Sequence, residues 1–186
     1  MLTTSLQRLF DSGNFHGTKN FDLLMKHYGK TYQSIDDSPI HFSELIELFD
    51  LEYAIDCTYS RLDLHKLWRE FAVWCCEPLS CYITIPSCSV ALNSAKKFIN
   101  DEISIDELTE VYKTAYEDQI NDISDHLSLS HCANRIAMDA AHPHIDTCIT
   151  NCFNTSALGL NRLGLPIEFL KRSKKTSFYH LTHRYD

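Results

Sequence analysis

Asn100–Tyr116, NDEISIDELTEVYKTAY, is the stretch on which the fold reading turns. Ser104 is followed three residues later by Glu107. In such a capping box each side chain takes up a backbone N–H that the first helical turn leaves unpaired. Ile103 and Leu108 stand at the two positions of a hydrophobic staple, which fixes how the chain enters the helix. Leu108, Val111, Ala115, Ile120 and Ile123 then recur at helical spacing, predicting a long helix, or two in succession.

Working back towards the N-terminus, the same signals repeat. Thr4-Ser-Leu-Gln7 reads as a capping box opening a short helix that ends near Gly13. Phe21, Leu24, Met25 and Tyr28 give Lys19–Tyr28 one apolar face, with Gly29 as its stop. Ser38-Pro39 reads as an N-cap and a first-turn proline for a helix over Pro39–Phe49. Leu51–Tyr59 fits a helical turn or an irregular segment. Leu62–Glu77 is the most apolar helix, ended by Pro78. Cys81–Pro86, CYITIP, has strand-like residues but no second strand to pair with, so it reads as an extended connector. Ser87 is expected to cap a helix over Cys88–Asn100.

Towards the C-terminus, Cys132, Ala133, Ile136, Ala137, Ala140 and Ala141 form the next apolar stripe. His142-Pro143 breaks it, and a further helix is expected over Ile145–Leu158, ending at Gly159. These elements predict an all-α, single-domain helical bundle of about six to eight helices. The helical domain spans 1–160, with an N-terminal part over 1–60 and the main bundle over 61–160. A short helix and a basic tail fill 161–186.

Composition narrows the function classes. The net charge of −8 and pI near 5.6 count against a general nucleic-acid binder. The charge is uneven: Asp101–His126 holds nine acids and one lysine, while Arg162–Asp186 holds six Lys or Arg against two acids. The N-terminal residues lack the pattern of a secretory leader, and no apolar run approaches bilayer length. A cytoplasmic protein is therefore expected, with its eight cysteines as thiols, packing units or ligands. No glycine-rich phosphate loop, dinucleotide fingerprint, nucleophile elbow or His-Glu-x-x-His motif occurs, and no enzymatic activity is expected.

The order FDSGNF, FDLLMKHYG, ELIELFDLEYAIDC, WREFAVWCC, VALNSAKKFINDEISIDELTEVYKTAY and HCANRIAMDAA resembles a family of small helical proteins from phage and bacterial genomes. That family is related to immunity-protein domains. Arg69, Cys75, Cys76, Ala91, Leu92, Ala95, Phe98, Glu102, Ser104, Glu107 and Leu108 carry the likeness, over roughly 20–160. Asp101 departs from it, standing where the family often has glycine. The resemblance implies an all-α fold and a phage or mobile-element origin, and gives no catalytic residues to carry over.

Three stretches carry candidate chemistry. His131–Cys152 gathers three histidines and three cysteines. Cys132, His142, His144, Cys148 and Cys152 have the N/S donor types of tetrahedral zinc, although the spacing follows no regular zinc motif. Cysteine standing in for alanine in a helical core explains the thiols equally. A nucleophilic thiol assisted by a histidine and Asp146 uses the same residues. The acidic helix offers Asp106, Glu110, Glu117 and Asp118 as a contact surface or nucleic-acid mimic, with charges expected all round it. The tail offers Lys174, Lys175 and Tyr179 as partner contacts. The leading expectation is a non-enzymatic protein–protein interaction factor acting on a host or phage protein, in the manner of a phage-encoded accessory or immunity-like factor. A zinc-binding helical protein is the alternative, and no cofactor is expected otherwise.

Overall fold

The computed structural model describes residues 2–122 and 128–165. It is all-α, apart from a two-residue strand pair near the N-terminus. Its contacts divide the described chain into two compact units, one up to Asp63 and one from Leu64 onward.

In the first unit, β1 (Thr3–Thr4) pairs antiparallel with β2 (Ile40–His41), Thr4 opposite Ile40. α1 (Leu6–Asp11) starts from Ser5, whose hydroxyl accepts from the Arg8 amide. α2 (Lys19–His27) starts from Thr18 in the same way and buries Phe21, Leu24 and Met25, as its spacing predicts. α3 covers Phe42–Leu48 and begins later than the Ser38-Pro39 signal suggested. Ile40 and His41 are extended because they pair with Thr3 and Thr4. The Glu44 carboxylate then closes the helix start by accepting from the His41 amide at 3.0 Å. α4 (Leu51–Asp56), capped by Asp50, runs into a 3₁₀ segment over Cys57–Leu64, so the segment with two readings is helical. Leu9, Phe21, Leu24, Phe42 and Leu45 are fully buried and form this unit's core.

The second unit opens with α5 (His65–Cys76), which Pro78 does not end abruptly. The chain tightens into a 3₁₀ turn over Glu77–Tyr82 with the proline in its first turn, where a missing N–H costs nothing. The extended connector after it has an unexpected partner. Asn134, itself fully buried, accepts from the Thr84 and Ile85 amides at 2.9 and 3.1 Å through Oδ1 and donates to the Thr84 hydroxyl. One amide side chain thus substitutes for the missing strand. α6 (Pro86–Ile99) starts at Pro86 and not after Ser87, again with proline in the first turn. It closes with the Asp101 and Glu102 amides bonded to the Phe98 and Lys97 carbonyls, a Schellman arrangement. That geometry puts Asp101 at φ 61°, in the left-handed region that glycine adopts more readily than a residue with a side chain.

α7 (Ile105–Asn121) has both halves of the Ser104–Glu107 capping box in place. α8 covers Leu129–Asp139, and α9 Ile145–Arg162. α9 passes through Gly159, where the sequence suggested a stop, and ends before Gly164 at φ 72°. Gly159 serves a close approach: a Cβ placed there would lie 2.5 Å from Leu79 Cδ1 and 3.4 Å from the Cys132 Cβ. α9 packs on α5 and α8, and α6 lies against α5, α7 and α8.

Candidate functional site

Arg69 is the residue of the second unit whose burial most needs explaining. It sits on α5 at 1% exposure, among side chains that are otherwise apolar. Its Nη1 donates to the Ala140 carbonyl at 2.6 Å and, at 3.8 Å, to the Cys148 sulfur, while Nη2 donates to the His142 carbonyl at 2.9 Å. The guanidinium therefore caps the C-terminal end of α8, where carbonyls lack helical partners and the dipole favours a cation. Its carbon lies 5.2 Å from the Phe98 ring centroid, within cation–π range. Nε, also buried, has no hydrogen-bond partner, and among the described residues no carboxylate pairs with this cation. Arg69 and Phe98 line a cleft of about 570 Å³ that opens between Ile103, Ile105 and Pro143.

The proposed metal ligands are brought together only in part: the Cys148 and Cys152 thiols lie against each other. Cys148 and Cys152 are fully buried, and their sulfurs approach the Ala140 and Ile136 carbonyls at 3.6 and 3.5 Å. Cys76 reaches the same Ile136 carbonyl at 3.4 Å, so these thiols act as small apolar groups with a weak S–H donor. Cys132 is buried elsewhere, beside Gly159. His142 and His144 sit at the turn before α9. The His144 amide donates to His142 Nδ1 at 3.1 Å, and the His142 imidazole packs edge-on against Tyr112 with centroids 4.7 Å apart. Among the described residues no group of three His, Cys, Asp or Glu is arranged to hold a metal ion. The nucleophile reading fares no better. Burial pushes Cys148 and Cys152 well up and Cys132 up as well, which disfavours the reactive thiolate. Cys88 is pushed up to about 12 by burial and by nearby acids.

His142 carries a pH prediction. Burial pulls its imidazole below the ordinary 6.5, and His144 adds to this; the His144 backbone hydrogen bond, Asp139 and Asp146 oppose it. The unfolded chain therefore takes up this proton more readily than the folded one. His142's contribution to stability is fully present above pH 6.5 and is lost as pH falls through the depressed folded value. Buried Asp139, held by Arg135 at 2.9 Å, is shifted the opposite way, upward by burial; its contribution is lost as pH rises. Urea midpoints measured between about pH 7 and 5 are expected to fall more steeply for the wild type than for His142→Gln. Parallel curves would contradict the assignment.

The acidic helix is more ordered than expected. At 3.6 residues per turn, Asp106, Glu110, Lys113 and Glu117 fall in a sector of about 60°, and all four are exposed. Of the acids singled out from the sequence, Asp118 lies on another flank, together with Glu107. Lys113 binds Glu110 at 2.6 Å within the row. Beside the row runs a second one containing Ile105, Tyr116 and Ile120, exposed at 43%, 43% and 62%. Leu108, Ala115 and Gln119 face inward. Lys174, Lys175 and Tyr179 lie outside the described residues.

Sequence reasoning had no signal for Arg69 as a buried cation, for Asn134, or for Gly159 as a packing residue, since each acts on residues distant in the chain. No protein-family model matches this chain, and no curated protein or solved structure does. Among the described residues, no helix is long and apolar enough to cross a membrane.

Proposed function

We propose that this protein is a binding factor that docks a protein partner along the outer face of α7, the partner presenting lysine or arginine beside an apolar patch. The observation that carries this reading is the pairing of rows on one helix. Asp106, Glu110 and Glu117 supply negative charge on one line, and Tyr116 and Ile120 stand exposed on the next. Such a surface offers steering by charge and an apolar contact where burial yields affinity. The nucleic-acid-mimic reading is weaker, because Lys113 interrupts the acidic row and neutralises Glu110. The phage-encoded, immunity-like setting that the resemblance implies belongs to the same proposal.

The test is retention from a lysate of the native host on immobilised full-length protein, compared with Asp106→Asn/Glu110→Gln/Glu117→Gln. All three positions are exposed, where substitutions usually change stability by less than about 0.5 kcal/mol, so the variant folds. One and the same protein is expected to be held by the wild type at low salt. It should be lost both from the variant and at about 1 M salt, where screening falls to roughly 3 Å. Equal retention by both proteins would contradict the reading.

A further inference from the structure

We propose that the cleft beside Arg69 is a binding site for a small monocarboxylate carrying a flat apolar body. This stands independently of the α7 reading.

The first support is the unspent part of the guanidinium. Arg69 is 1% exposed, yet everything it donates to is neutral: two carbonyls and a thiol. Its Nε–H is buried without a partner, and a guanidinium edge is shaped to take both oxygens of a carboxylate. The second is the charge of the lining. Lys66, the ammonium that shares the cleft, is already paired with Asp101. One positive charge is left over, which matches a carboxylate and leaves a dianionic phosphate with charge to spare. The N-terminus of α9, which begins beside the cleft at Pro143 and Ile145, adds little, because Asp146 in its first turn already places a carboxylate there and accepts from the Thr147 amide at 2.7 Å. The N-terminus of α7 adds nothing, since the Ser104 hydroxyl and amide are both bonded to Glu107.

The walls define the rest of the ligand. Phe98 has Arg69 over one face and the His65 ring 5.8 Å away, and gives the cleft wall the part of its ring that stays exposed. Ile103, Ile105 and Pro143 close the sides. A cleft of about 570 Å³ falls in the size range of sites for small organic molecules. A carboxylate on an aromatic or similarly planar body would put its oxygens on Arg69 and its body on Phe98.

Sodium benzoate is the probe, followed through the arginine side-chain ¹H–¹⁵N resonances of the full-length protein. A saturable shift of the Arg69 Nε–H resonance is expected with benzoate. Neutral benzamide should give none, and inorganic phosphate should bind more weakly than benzoate. Arg69→Lys should weaken benzoate binding by about tenfold or more. Should that variant fail to fold, Ile105→Trp serves instead: the position is 43% exposed at the cleft mouth, and the larger side chain should obstruct entry without unfolding the protein. The proposal is overturned by an Nε–H resonance that does not move at saturating benzoate, by benzamide acting equally, by phosphate binding more tightly, or by Ile105→Trp leaving benzoate binding unchanged.

Discussion

Arg69→Ala is expected to lose about 3–5 kcal/mol of stability, the largest effect of any change considered. Three losses combine. The Ala140 and His142 carbonyls that the guanidinium caps are left without that donor. The aliphatic stem leaves a void beside Phe98, and the cation–π contact disappears. Removing the cation also removes a desolvation cost, which is why the loss is not larger still. Arg69→Lys should recover part of it, since an ammonium reaches one carbonyl but cannot bridge two. Calorimetric melting of the three proteins checks the ranking, and hydrogen exchange checks the location, with protection falling at the α8–α9 turn. An Arg69→Ala protein within about 1 kcal/mol of wild type would mean that the capping is incidental.

Gly159→Ala is expected to destabilise by about 1–3 kcal/mol, and the sign is the informative part. In an open helix, alanine for glycine stabilises by up to about 1 kcal/mol. Here the new methyl would meet Leu79 Cδ1 at 2.5 Å, and Leu79 is fully buried, so it has little room to yield. The double variant Leu79→Ala/Gly159→Ala should cost less than the two single changes added together, because truncating Leu79 opens the space that the methyl needs. Urea denaturation of all four proteins gives the cycle. Additive costs, or a stabilising Gly159→Ala, would show that the α9 approach to Leu79 is loose.

These two residues also mark the limit of what was legible from the chain. α2, α7 and α8 followed from apolar spacing and caps, because such signals act within one helical turn. The Ser104–Glu107 box and its staple were readable for that reason. The Ser38-Pro39 start was misplaced because a two-residue pairing with Thr3 and Thr4, distant in sequence, overrides a local preference. Gly159 looked like a terminator because a glycine that ends a helix and one that admits a neighbour are the same letter. Asn134 could not be matched to Thr84 and Ile85 without knowing that α8 lies beside the connector. At the candidate site, the thiols drew attention as ligand types, and burial assigns them to packing. Arg69 was not legible as a capping cation, because its partners are backbone carbonyls that no motif encodes. The acidic row was hidden by Asp118. With Asp118 and Glu107 set aside, the remaining three acids of α7 share one face.

Site-specific photo-crosslinking tests the proposed function most directly. A photoreactive phenylalanine derivative is placed at Tyr116 or Ile120 on the outer face of α7, and at Leu158 on α9 as the control; all three positions are exposed. After irradiation in native host cells, the same single protein adduct is expected from positions 116 and 120. It should be absent at 158, and should disappear when Asp106, Glu110 and Glu117 are neutralised. An adduct that forms equally at Leu158, or that survives neutralisation of the acidic row, would contradict docking along α7, as would no adduct at either α7 position.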